Sequence, residues 1–242
     1  MPEGPTIFKL KEKLSYFIGK TIIEASGYAD IDYSRLKNKK VLDVKTWGKH
    51  FFICLNNTNI EMHLRLFGSY LINKQKQGIN PKLHLGFKKD ELNFYVLDVH
   101  LTDSLAGFDP SSDILSDQWN ASNALIKLKK NPKLEIADAL LTQDIFSGVG
   151  NIIKNEALWL ARIHPETQIG FLKDPQLKNI IKSVRQFSTD WLHNYGEKSF
   201  KKSWGVYQKE SCKRCGNPIY YAKTGKIKWG SYWCTTEQIK LE

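Results

Sequence analysis

The chain of 242 residues has no apolar run approaching the roughly 18 residues that a membrane-spanning helix requires. Its N-terminus, MPEGPTIF, lacks the apolar core of a secretory signal and places an acid at the third position. These absences argue against a membrane protein and for a cytoplasmic one. Cysteine is scarce: there are four, and three of them (Cys212, Cys215 and Cys234) fall in the last 31 positions. Without a secretory signal, that distribution excludes a disulfide framework and makes CxxC a metal or redox motif. The fourth, Cys54, lies in the apolar stretch HFFICL and reads as a small buried hydrophobe. No histidine follows His193, which narrows the ligands open to a metal near the C-terminus. Internal repeats and low-complexity tracts are also absent.

Acid is in deficit too. The chain has 25 acidic residues against 36 basic ones, a net charge of +11. Residues 1–120 carry 16 basic and 14 acidic side chains, whereas residues 121–242 carry 20 and 11. A basic half points to a polyanionic partner, nucleic acid first. The rest of the composition, 41% hydrophobic and 25% charged, is that of a globular chain long enough for two domains or for one domain and a small module.

Gly4 and Pro5 open a first helix. Ile7, Leu10, Leu14, Phe17 and Ile18 recur in it at helical spacing before Gly19 ends it. Seven short segments follow, rich in β-branched and aromatic residues: KTIIEASGYA, KVLDVKT, KHFFICL, TNIEMHL, SYLIN, KLHLGF and LNFYVLDV. Gly, Asn and charged turns separate them, which predicts an antiparallel sandwich or barrel ending near residues 109–112. From about Ser122 the period becomes helical, with SNALIKLKK, LEIADALLTQ, NIIKNEALWLA and PQLKNIIKSVRQFSTDWLHNY as four candidate helices. The linker SFKKSWGVYQKES leads to a hairpin-like tail rich in Cys, Gly and Tyr.

An N-terminal Pro-Glu is commonplace and often means nothing, yet Pro2 and Glu3 have a specific chemical use when paired. A small second residue permits removal of Met1, which leaves Pro2 as a free secondary amine. An α-amino group has a pKa near 8, so part of it is neutral and nucleophilic at pH 7. Such an amine attacking the anomeric carbon of a deoxyribose expels the base and leaves an iminium ion. That cation is an electron sink, so the sugar can then lose its phosphates by elimination. Glu3 would protonate the ring oxygen and later shuttle protons.

MPEGP resembles the endonuclease VIII branch of the formamidopyrimidine-DNA glycosylase family. The likeness continues in family order. WGKH at 47–50 is similar to the hairpin bearing a catalytic lysine, and HLRLFG at 63–68 to the void-filling loop. SGVGNIIKNEALW at 147–159 is similar to the helix–two-turns–helix segment, and CKRC at 212–215 to the zinc finger. The resemblance implies an α+β multidomain fold. Residues 1–115 would be a catalytic antiparallel β-sandwich with a leading helix. Residues 116–205 would be a helix–two-turns–helix DNA-binding domain, and 206–242 a zinc-finger-like β-hairpin.

It also implies roles. Lys49 would touch the phosphate beside the lesion and assist elimination, although a lone lysine in a turn is ordinarily just solvated. Arg65, Leu66 and Phe67 would fill the hole left by an extruded base, with Leu66 the best match. The plain reading of the same residues is a strand end with Leu66 and Phe67 in the core. Gly148, Val149, Gly150 and Asn151 open a helix, and free N–H groups there can bind an anion. In the family reading this is a phosphate clamp, with Asn151 as a side-chain donor and good N-cap; a lone GxG is otherwise a tight turn. Glu156 also matches, or is a packing residue. Lys226 and Lys228 could meet phosphate.

Three departures stand out. The fourth cysteine of the finger is replaced by Glu237, whereas structural zinc sites close with four ligands. Three alternatives stay open: Glu237 completes a site with Cys212, Cys215 and Cys234, the ribbon persists with weak or no zinc, or the C-terminus is altered. The family's finger arginine is Trp229 here, with Lys228 beside it, and a commonly acidic position is Thr6.

The expectation is a bifunctional DNA glycosylase and abasic-site lyase. It would be a monomer without membrane or organic cofactor, with structural zinc left open and association with the nucleoid if bacterial. Its partner would be duplex DNA with damaged bases or abasic sites, bound between sandwich and helical unit. Resemblance to the endonuclease VIII branch implies oxidised pyrimidines. The short stretch from Tyr195 to Cys212 also leaves little room for the lesion-covering loop of oxidised-guanine enzymes. Two alternatives are a non-catalytic binder of damaged DNA and an RNA-binding module.

Overall fold

The computed structural model describes residues 2–242. Contacts divide the chain into two compact units: Pro2 with Thr6–Phe108, and Glu3–Pro5 with Asp109–Glu242. Removal of Met1 concerns a position outside the described residues.

Helix α1 (Gly4–Leu14) carries Pro5 in its first turn, where a missing N–H has no consequence. Its inward face buries Ile7, Leu10 and Leu14. A 3₁₀ turn over Ser15–Phe17 then buries Phe17 but leaves Ile18 42% exposed. The helix therefore stops one turn earlier than its periodicity predicts.

Six strands follow: β1 (Glu24–Gly27), β2 (Asp43–Trp47), β3 (His50–Leu55), β4 (Thr58–Ile72), β5 (Leu83–Gly86) and β6 (Glu91–Thr102). They pair antiparallel in the order β1-β5-β6-β4-β3-β2, so one continuous ladder serves the whole sheet unit. A single apolar cluster draws on every strand, through Ala25, Val44, Ile53, Met62, Leu85 and Phe94, and on α1. Seven predicted segments become six strands because TNIEMHL and SYLIN are halves of β4. Between them the register breaks: Leu64 pairs with Leu97 and Ser69 with Tyr95. Residues 65–68 therefore face Val96 alone and bulge from the sheet. Gly68 makes this bulge possible, since a Cβ there would lie 2.7 Å from the Val96 carbonyl oxygen.

In the helical unit, α2 (Ala121–Lys129), α3 (Ile136–Leu141), α4 (Asn151–Ala161) and α5 (Asp174–His193) occupy the four predicted helical segments. On α5, Leu177, Ile180, Ile181, Val184 and Phe187 form the inward stripe. By contrast, α4 is buried on all sides from Asn151 to Leu158, polar residues included. Buried polar groups need partners, and α4 finds them in the segments around it. Glu156, 1% exposed, accepts N–H bonds from Gly205 (2.7 Å), Val206 (3.0 Å) and Tyr207 (2.7 Å). Its place is thus structural: it clasps the linker.

That linker is ordered around a further short helix, α6 (Lys198–Ser203), and an aromatic cluster of Phe187, Trp191, Phe200, Trp204 and Tyr207. The chain ends in the hairpin β7 (Ile219–Thr224) and β8 (Trp229–Cys234).

Candidate active site

The N-terminal residues are fixed by the helical unit. The Gly4 N–H donates to the Gly148 carbonyl at 2.9 Å. Glu3 is completely buried, and its carboxylate accepts from the N–H groups of Gly150 (3.1 Å), Ile152 (2.7 Å) and Ile153 (3.1 Å). These are donors that the start of α4 leaves without intrahelical partners, and a carboxylate there meets the positive end of the helix dipole. Glu3 thus caps α4 from 147 residues away. The anion seated at this glycine-rich turn is the chain's own Glu3, which engages the Gly150, Ile152 and Ile153 N–H groups.

Gly150 has a different necessity. A Cβ there would lie 2.5 Å from the Glu3 carboxyl carbon, so only glycine admits the acid. Gly150, and not Asn151, is the N-cap residue; Asn151 is the first residue inside the helix. The Asn151 amide oxygen is 3.4 Å from Asn155 Nδ2, and its side chain also bonds the Tyr207 hydroxyl.

Lys154 was not singled out by sequence. It is 1% exposed, and its ammonium donates to the Gly230 carbonyl (3.1 Å) and Ser231 Oγ (2.9 Å) of β8. Burial brings its pKa down to about 8, against the opposing pull of Asp138 and Glu3. Asn155 adds a bond from the Tyr232 N–H at 2.8 Å. Asp138, also buried, accepts from the Lys226 N–H at 2.8 Å. Gly225, at φ +71, would drive a Cβ to 2.0 Å from Asp138 Oδ1. The turn bearing Lys226 and Lys228 is therefore held from beneath, while both lysine side chains face solvent.

In the sheet unit, Lys49 occupies the two-residue turn between β2 and β3, whose flanking residues Trp47 and His50 pack with Phe52 and Phe108. His63 on β4 is a second residue missed by sequence. Its ring centroid is 5.0 Å from that of His50, and its Nδ1 is buried without a hydrogen-bond partner. Burial, then the fields of His50 and Lys49, push its pKa down to about 4, so it is a neutral imidazole at pH 7. The bulge carries Arg65, whose Nε lies 2.6 Å from Asp98. Leu66 and Phe67 are 57% and 79% exposed. They are not at a strand end in the core; apolar side chains are presented to solvent on a rigid strand.

At the far end, the sulfurs of Cys212, Cys215 and Cys234 lie within 4.8 Å of one another and can hold a metal ion. Burial alone would raise the Cys212 thiol, but N–H donors from Cys215, Trp159 and Arg214 bring it down to about 7. Glu237 is not in this group. Its carboxylate is 2.7 Å from Arg214 Nη1 and 3.2 Å from Arg162 Nε. The four-ligand set of a closed structural zinc site is thus not assembled among the described residues.

Comparison with known proteins bears on the family and the fold. The family model described as the formamidopyrimidine-DNA glycosylase N-terminal domain matches residues 1–102, and that of the H2TH domain of the same glycosylase matches residues 108–195. Endonuclease 8-like 3 of Xenopus laevis is 29% identical over 92% of this chain, which spans 38% of that longer protein. The DNA-(apurinic or apyrimidinic site) lyase Nei2 of Mycolicibacterium smegmatis is 28% identical, with 97% of each chain covered. Endonuclease 8 2 of Mycobacterium tuberculosis is 25% identical, covering 97% of this chain and 98% of its own. Among solved structures, a Lactococcus lactis Fpg complex with abasic-site DNA superposes at TM-score 0.86 and 22% identity, over 98% of this chain and all of the other. No helix is long and apolar enough to cross a membrane among the described residues. Two domain models of one family, met in order along the chain, show that it belongs to the formamidopyrimidine-DNA glycosylase and endonuclease VIII family.

Proposed function

We propose that this protein is a base-excision DNA glycosylase with abasic-site lyase activity, acting on oxidised bases in duplex DNA, pyrimidines first. The observation that carries the reading is the seat of Glu3. A buried carboxylate held by three N–H donors, one residue after Pro2, is built for proton transfer at a substrate brought to the N-terminal amine. Once Met1 is removed, the neutral amine of Pro2 forms a bond to C1′ as the bond from C1′ to the base breaks. The departing base takes a proton from solvent, and the Glu3 carboxylate takes the proton from the attached amine and passes it to the ring oxygen, which opens the sugar and leaves the Schiff base. Abstraction of a C2′ proton then expels the 3′ phosphate, and hydrolysis of the imine frees Pro2. In the sheet unit, Lys49 and the neutral His63 offer N–H donors to the phosphate beside the lesion; separately, in the helical unit, Asn151 offers its amide to DNA phosphate. Leu66 and Phe67 enter the space of the extruded base while Arg65 bonds its widowed partner. Lys226 and Lys228 meet phosphate on the finger turn, and any metal on the three cysteines takes no part in the chemistry.

The test is trapping. Borohydride with an abasic-site duplex should yield a covalent adduct that maps to Pro2. An adduct found only on a lysine overturns the nucleophile. Glu3→Gln should bind DNA with unchanged affinity and release no base. Cleavage of oxidised-pyrimidine, oxidised-guanine and abasic duplexes, run side by side, ranks the substrates.

A further inference from the structure

A two-stranded hairpin has little stability of its own, and a structural zinc finger draws its closure from four ligands. Here three thiols converge, and the residue at the fourth place is engaged elsewhere. The Glu237 carboxylate joins Arg214, which lies inside the CxxC knuckle, to Arg162, which caps the C-terminus of α4. The Arg214 guanidinium sits 4.3 Å over the Trp159 ring and donates to the Trp159 carbonyl at 3.3 Å. The Trp159 indole N–H in turn donates to Cys212 Sγ at 3.3 Å. One residue beyond Glu237, the buried Gln238 amide accepts from the Cys234 N–H (3.1 Å) and donates to the Ile163 carbonyl (2.8 Å). Arg162 holds its arm of the network from a left-handed backbone, φ 58 and ψ 41. Glycine is ordinary in that conformation and a side chain is strained. An arginine is retained where helices commonly end on glycine, and its side chain is the one that reaches Glu237. Both halves of the finger are thereby tied to α4, the spatial task that a fourth ligand performs.

We propose that this Arg162–Glu237–Arg214 clamp, and not a metal, closes the finger. Cys212, Cys215 and Cys234 are then an open-sided three-thiol set, with Cys215 exposed, whose occupancy the fold does not require. The experiment is thermal unfolding of the full chain under reducing conditions, with metal content measured before and after EDTA and after added zinc chloride. Chelation should move the wild-type midpoint by less than about 1 °C. Glu237→Gln should lower it by about 3–6 °C with or without EDTA. Arg162→Gly, which relieves the backbone while removing the outer arm, should lower it as well and is the milder variant if Glu237→Gln does not fold. Glu237→Cys should convert the finger into one that takes up a stoichiometric zinc and melts on chelation. A wild-type protein that loses its zinc and its fold together in EDTA overturns the proposal, as does an Arg162→Gly protein that melts at or above the wild-type midpoint.

Discussion

Gly150 has no room for a methyl group. Alanine there would overlap the Glu3 carboxyl group at 2.5–2.7 Å, and neither the acid nor the helix end can yield without losing bonds between them. We expect Gly150→Ala to cost about 1–3 kcal/mol, as overpacking does, and to abolish base release while DNA binding survives. A variant that releases base at the wild-type rate would separate Glu3's seat from its chemistry. Lys154 gives a prediction in pH. Its folded pKa, about 8, lies below the ordinary lysine value of 10.5. Below pH 8 both folded and unfolded chains carry the proton, and the burial penalty is present in full. Between about 8 and 10.5 only the unfolded chain carries it, so stability rises with pH. Urea unfolding of the wild type and Lys154→Met should therefore diverge in favour of the wild type by about 3 kcal/mol across that window. A constant difference would show that the ammonium is not strained. At this scale the sequence was half legible. Pro2 and Glu3 drew attention through their chemistry and the resemblance, since the dipeptide alone is commonplace, and the burial of Glu3 is what the structure adds. The donors of Glu3 were not, because 147–150 residues of chain separate them from it. Lys154 gave no signal either: on a helix, a lysine ordinarily faces solvent.

The β4 bulge is the clearest element-level device. Four residues set against one push Leu66 and Phe67 outward, at a cost in exposed apolar surface that folding alone does not justify. Since these side chains contribute little packing, Leu66→Ala with Phe67→Ala should change stability by less than about 0.5 kcal/mol. Base release from duplex DNA should nevertheless fall by about tenfold or more, as expected when a few kcal/mol of lost stacking goes uncompensated. A double variant as unstable as a core truncation would place the two residues in packing after all. The resemblance of HLRLFG to a void-filling loop marked the spot in the sequence, while the four-against-one pairing with β6 that turns Leu66 and Phe67 outward could not be read there. Helices α2 to α5 were legible because their apolar residues recur at helical spacing. The short α6 was not: KSFKKS has no apolar stripe, and it is the aromatic cluster around Trp204 that orders the region. Nor could Glu237 be assigned from spacing, since its partners depend on the left-handed turn at Arg162.

Across the whole molecule the positive charge is lopsided, with most of the net +11 in residues 121–242. Affinity for DNA should therefore fall linearly on a double-logarithmic salt plot, by about 0.9 per neutralised phosphate. Lys226→Ala and Lys228→Ala should each reduce that slope by about one. A salt-independent affinity would remove phosphate contacts from the account. The seat of Glu3 also sets an order in time. Glu3 leaves the ribosome 147 residues ahead of Gly150, the first of the groups that hold it. Every group that holds the Glu3 carboxylate is made after more than half of the chain. On the proposed function, the nascent chain carries no seated acid until α4 has been made and has folded onto its own first residues. A peptide appended before Pro2 turns its amine into an amide, so on the proposed function such a chain should give no borohydride-trapped adduct.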